Sequence, residues 1–111
     1  MSKIDLNTFS SLKESTGTDF IGELVDAFLD DAPALISQMR SALASKNAEE
    51  FRRAAHSMKS NAATFGAMEL SALARELEAL ARENNLEVGT RLDAIESEFQ
   101  QVKSELKSLK M

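Results

Sequence analysis

The chain has 111 residues, a formal net charge of −5 and no cysteine, which fits one domain with a core of its own and excludes disulfides and thiolate metal sites. An acidic balance has the wrong sign for neutralising phosphates, so no nucleic-acid partner is expected. There is no apolar run of signal-peptide length near the N-terminus and nothing near the roughly 18 uninterrupted apolar residues of a membrane span, so the expectation is a soluble, cytoplasmic protein with no membrane partner.

Tryptophan and tyrosine are absent, and one proline and four glycines leave few breakers. Residues 1–6 read as frayed. A short helix is predicted from Asn7 to Ser15, with Phe9 and Leu12 spaced to meet a neighbour, and Thr16-Gly17-Thr18 ends it. From Thr18, read as an N-cap, Ile21, Leu24, Val25, Phe28, Ala32, Leu35, Ile36, Met39 and Leu43 recur at three- and four-residue intervals. The pattern runs through Pro33, where the lost hydrogen bond predicts a kink or a restart with one face buried throughout. Asp26, Asp30 and Asp31 read as a solvated outer face.

Asn47 and Glu50 form a capping-box pattern that launches a third helix, which Gly66 ends or bends. Met68, Leu70, Leu73, Ala74, Leu77, Leu80 and Ala81 define a fourth, stopping near Asn84-Asn85. Thr90 with Asp93 reads as a second capping box, and Leu92, Ile95, Phe99, Val102, Leu106 and Leu109 give the last helix a seam close to a heptad. The fold expected is all-α: an antiparallel up-down four-helix bundle with a short N-terminal capping helix, residues 1–111 forming a single domain.

The only histidine lies in the third helix. At about 100° per residue, Phe51, Ala54, Ala55, Met58, Ala62 and Phe65 share one apolar stripe and His56 points roughly 150° away from its middle. The ring is therefore expected to face water. Arg52, Arg53, Lys59 and Ser60 stand one turn away and Ala63 two turns on, so basic and small groups, not acidic ones, are expected to border it. Taken by position alone, a lone surface histidine is ordinary.

Most chemistries fail on the residues. A carboxylate metal bundle needs Glu three before the histidine, where this chain has Arg53. One histidine without cysteine cannot supply a structural zinc, HExxH is absent, and so are GxxxxGK[ST], GxGxxG and GxSxG. No carboxylate flanks His56 at three or four residues on its own helix, which leaves a serine-type triad unsupported. A self-sufficient enzyme is not expected, and no cofactor or metal is. What remains is the imidazole as a nucleophile, since histidine titrates nearest neutrality and keeps a free ring nitrogen at cytoplasmic pH. A phosphoryl group there could take a charge-assisted hydrogen bond from Lys59, with Arg52 and Arg53 adding to the field. The small Ser60 and Ala63 leave room for a partner's active site.

The run His56-Ser57-Met58-Lys59-Ser60-Asn61-Ala62-Ala63-Thr64-Phe65-Gly66-Ala67, followed by Leu70 and Leu77-Glu78, resembles the signature of histidine-containing phosphotransfer (HPt) domains of multistep phosphorelays. The lead-ins Arg52-Arg53-Ala54-Ala55 and Phe28-Leu29-Asp30-Asp31-Ala32-Pro33 with Leu35 are also similar, and the likeness extends from about Phe20 to the end of the fourth helix. The resemblance implies that His56 is the phosphoacceptor. It implies response-regulator receiver domains and a hybrid sensor kinase as partners, with Mg²⁺ and the acidic pocket on the receiver and no ATP site on this chain. Lys59 is expected to stabilise the phosphoryl group and Gly66 to set this helix against the next, while Arg52, Arg53, Ser60 and Ala63 are expected partner contacts and a monomer is the expected state. Met58 stands for the usual Leu, a volume-conserving change. Ser60 replaces the usual Gly and Asn61 the usual Ser or Ala, which bears on partner preference. The rival from another class is a helical adaptor that keeps the bundle and transfers nothing. An amphipathic membrane-surface helix is disfavoured by the acidic balance.

Overall fold

A computed structural model describes residues 2–110, which form five helices: α1 (Leu6–Thr16), α2 (Ile21–Ala44), α3 (Ala48–Thr64), α4 (Met68–Arg82) and α5 (Arg91–Leu109). The fold is all-α, with no strand among the described residues. Helices α2 to α5 make the four-helix bundle: α3 lies against both α2 and α4, α5 closes against α4 and α2, and α1 caps one end over α2 and α3. No helix of the described residues is long and apolar enough to cross a membrane.

The stripes that spacing marks out are buried or half-buried, except at Met68 of α4, which is exposed. Ile21, Val25, Phe28, Ala32, Ile36 and Met39 line the inner face of α2 on both sides of Pro33, and α2 continues through the proline without a restart. The packed face on both sides offsets the one backbone hydrogen bond that proline removes. In α3 the whole predicted stripe from Phe51 to Phe65 is buried. Phe65, just past the end of α3, stacks on Phe28 at 5.0 Å between ring centroids, and Phe28 meets Phe99 edge-on at 6.0 Å. These three rings fasten the α3–α4 turn to α2 and α5, so the helix carrying His56 is fixed at its C-terminal end.

The helix starts differ from the sequence expectations in instructive ways. Thr18 does not cap α2: the N-cap is Phe20, with no side-chain bond. The Gly17 carbonyl accepts from the Phe20 and Ile21 amides instead, a backbone turn doing what the hydroxyl was expected to do. Only half of the box at α3 forms. The Asn47 side chain accepts from the Glu50 amide at 3.1 Å, but the Asn47 amide already donates to the Ala42 carbonyl at 2.8 Å. Thr90 makes no side-chain cap at α5, and the Asp93 carboxylate is instead drawn across to Arg40 of α2 at 3.1 Å.

The largest correction concerns the N-terminal residues, expected to fray. Of these, Met1 lies outside the described residues. Ser2 Oγ and the Lys3 amide both donate to Glu105 at 2.6 Å, Ile4 is buried, and the Asp5 amide donates to the Gly66 carbonyl at 2.8 Å. Asp5 also caps α1, accepting from the Asn7 and Thr8 amides. Gly66 has φ +84°, and a Cβ there would sit 2.8 Å from the Asp5 carbonyl oxygen. Glycine is required both by the left-handed turn and by the chain lying on it.

Candidate functional site

The outward face of α3 meets one edge of α4, and there a single buried carboxylate collects three cationic or polar groups. Glu78 of α4 is only 2 % exposed. His56 Nδ1 lies 2.7 Å from its Oε2, Lys59 Nζ 2.6 Å from its Oε1, and Arg82 Nη2, one turn further along α4, 3.2 Å from Oε2. Burial by itself pushes the Glu78 carboxyl up, but the hydrogen bonds and charges of Lys59 and His56 outweigh it and hold the group below the usual carboxylate range. Glu78 is therefore an ionised acceptor at neutral pH. A carboxylate only accepts, so Nδ1 carries a proton and donates it to Glu78, and in the neutral ring the lone pair is then on Nε2.

The ring is exposed as the helical arithmetic predicts, its side chain 54 % accessible. The expectation that basic groups alone border it is overturned by Glu78. That expectation considered neighbours on the histidine's own helix, whereas the acidic partner comes from the next helix, 22 residues away. The Glu78 bond fixes ring orientation and tautomer without covering Nε2. Lys59 is half-buried along the same interface, its side chain 27 % exposed, and its ammonium is engaged by Glu78.

The structure separates the other expected contacts. Arg52 donates from two guanidinium nitrogens, Nε and Nη2, to Glu49 at 3.2 and 2.7 Å. It lies beside Arg82 in the depression formed by Ala48, Glu49, Ala81 and Asn84. Arg53 shares the Glu49 carboxylate, its Nε 3.5 Å from Glu49 Oε1, and also lines a recess with Gln38 and Ser41 of α2. Ser60 and Ala63 lie on the α4 side with Lys59, and with Met68, Ser71, Ala72 and Arg75 they line an open groove of about 480 Å³. Ser71 Oγ donates to the Lys59 carbonyl at 2.9 Å and ties the two helices together beneath this groove. Met68, at its end, is among the few large apolar side chains left exposed.

Sequence reasoning missed Glu78, Arg82, Ser71 and Arg75 as parts of this surface. Glu78 carried a signal: four residues after Ala74 and three before Ala81, it stands at the edge of the apolar stripe of α4, where a carboxylate must find partners. Its partners were not legible, because they depend on the rotation of α3 against α4.

A family model described as the Hpt domain matches residues 23–106. The chain is also similar to the crystal structure of histidine-containing phosphotransfer protein B (HptB) from Pseudomonas aeruginosa PAO1. The TM-score is 0.91 and the identity 29 %, with 96 % of this chain and 93 % of that one covered. No curated protein matches the sequence. The match over most of the chain, together with the five-helix architecture, shows that this protein belongs to the Hpt family, the histidine-containing phosphotransfer domains of His–Asp phosphorelays.

Proposed function

We propose that His56 is the residue that carries the phosphoryl group, taking it from the aspartyl phosphate of one response-regulator receiver domain and passing it to the aspartate of another, with a hybrid sensor kinase upstream. The observation that carries this reading is the division of labour on one ring: Nδ1 is bound to a buried carboxylate while the rest of the imidazole faces solvent. In the accepting step the Nε2 lone pair attacks phosphorus, the N–P bond forms, and the P–O bond to the aspartyl carboxylate breaks with its electrons returning to that oxygen. Positive charge develops on the ring and is met by Glu78 through the Nδ1 proton, so the carboxylate stabilises the attacking state more than the resting one. Release to the second aspartate reverses these bond changes.

Lys59, one turn from the ring, is the cation closest to hand for the phosphoryl oxygens. The groove over Ser60 and Ala63 is the docking floor, its small side chains letting a receiver bring aspartate and Mg²⁺ within in-line distance. Ser60 adds a hydroxyl at that floor, and Arg52 lies one turn before the ring, beside Arg82 in a separate depression. Arg53, on Glu49 and beside the α2 recess, is a weaker contact than the sequence suggests.

The test is incubation with a phosphorylated receiver and recovery of label that survives alkali and is lost in acid, as a phosphoramidate is. His56→Gln abolishes that label. Equal label in the variant places the phosphoryl group elsewhere and leaves the bundle as an adaptor.

A further inference from the structure

The Glu78 cluster holds one more cation than the carboxylate needs. Two cations, Lys59 and Arg82, face one anion, and His56 donates to the same carboxylate without adding negative charge, so the four groups carry a net positive charge before transfer. A phosphoryl group on Nε2 brings close to two negative charges at neutral pH. With the ring proton kept on Nδ1, the loaded site comes out close to neutral only if both cations remain. Lys59 is the cation on the histidine's own helix, but in the unloaded site it is spent on Glu78 Oε1 at 2.6 Å. Turning it toward a phosphoryl group strips that oxygen of its donor, and a nearly fully buried carboxylate oxygen does not go unpaired without cost. Arg82 is placed to remove that cost. It already touches the other oxygen of the same carboxylate at 3.2 Å and is 65 % exposed, and hence free to swing. Its guanidinium is a fork that spans both carboxylate oxygens. The other nearby arginine, Arg52, is already paired with Glu49 through Nε and Nη2 and makes no contact with Glu78.

We propose that Arg82 is a positioning residue for the phosphorelay step: it takes over Glu78 when a phosphoryl group on His56 draws Lys59 away, so that the lysine can neutralise the phosphate without leaving a buried carboxylate bare. This rests on the phosphoacceptor reading of His56 and adds to it a counter-ion exchange between the two oxygens of Glu78. No bond beyond the N–P and P–O pair already described changes. The exchange moves only hydrogen bonds.

The experiment is the equilibrium between the free phosphorylated protein and a phosphorylated receiver, measured in dilute solution where the unbound forms dominate. Docking contacts alter the rate of approach to this equilibrium but not its position, so a role of Arg82 in binding the receiver leaves it unmoved. Arg82→Gln lowers the phosphorylated fraction of this protein about fivefold, the size of one partly exposed ion pair, and Arg82→Lys, which keeps the charge but not the fork, recovers only part of that loss. In a Lys59→Gln background the loss caused by Arg82→Gln is smaller, because the exchange has lost its moving part and only the direct charge effect of the guanidinium remains. An unchanged equilibrium in Arg82→Gln overturns the proposal. So does an equal loss in both Arg82 variants, or an undiminished loss in the Lys59→Gln background. Wild-type protein that takes no label on His56 in the same assay overturns the phosphoacceptor reading itself, and the wild-type control separates that failure from the others.

Discussion

Two carboxylates are buried in this bundle, one on each of two adjacent helices, and they are treated in opposite ways. Glu78 of α4 has a donor on both oxygens from His56, Lys59 and Arg82. Glu98 of α5, 7 % exposed, receives only Lys3 Nζ on Oε1 at 3.1 Å, and its Oε2 has no hydrogen-bond partner. Both sit at the edge of an apolar stripe, so burial alone does not distinguish them. What distinguishes them is what they hold. Glu98 fastens the N-terminal residues to α5, a structural clasp made by a chain end. Glu78 orders groups that are themselves exposed, and its satisfied oxygens make it a rigid reference against which the imidazole is aimed. A buried charge that is fully hydrogen-bonded by accessible partners marks the site, and one half-satisfied by a single lysine marks a fastening.

The contrast can be broken from the fastening side first. Gly66→Ala forces a left-handed residue and drives a Cβ into the Asp5 carbonyl, lifting the segment that Lys3 and Glu98 anchor. The expected loss is about 1–3 kcal/mol of unfolding free energy, read by urea denaturation. Retention of full stability contradicts the seat described for the N-terminal segment.

From the site side the expected effect is on transfer. Glu78→Gln keeps the shape but not the charge, and the phosphotransfer rate falls about tenfold, in the range of a hydrogen bond to a charged group. Stopped-flow or rapid-quench transfer from a receiver measures it. The same variant has a pH signature with a fixed sign. A carboxyl group whose native pKa is depressed contributes stability that is complete above its unfolded value of about 4.3 and is lost as pH falls through the lower native value. The acid limb of the wild-type stability curve is therefore steeper than that of Glu78→Gln, and identical limbs contradict the ionised cluster.

The smallest effect sharpens the comparison by its absence. Glu98→Gln removes a charge that has an unpaired oxygen and leaves phosphotransfer within about twofold of wild type, less than the worth of a single ordinary hydrogen bond. A loss comparable to Glu78→Gln means that the two carboxylates do not divide the work as the structure indicates.

How far the sequence disclosed this depends on the range of each interaction. The helices of the bundle and the outward aim of His56 follow from three- and four-residue spacing, and spacing is a property of one helix at a time. Gly66 was legible as a turn, but its second reason, the Asp5 backbone lying on it, was not. The capping of α2 by the Gly17 carbonyl and the diversion of Asp93 to Arg40 replace side-chain signals that looked adequate in one dimension. The ring's acidic neighbour is the clearest case. Lys59 and Arg52 could be placed beside His56 because they share its helix, whereas Glu78 stood out as a charge at the edge of the α4 stripe and in the Leu77-Glu78 pair of the family likeness, with its contact to His56 legible from neither.

The central claim is that Glu78 holds the proton on Nδ1 so that Nε2 is the atom that takes phosphorus. Nitrogen-15 NMR of the single histidine ring tests it most directly, before and after loading from a receiver. The account predicts a protonated Nδ1 hydrogen-bonded to a carboxylate in the unloaded protein and phosphorus coupling at Nε2 afterwards. A ring protonated at Nε2, or phosphorus coupled to Nδ1, contradicts it.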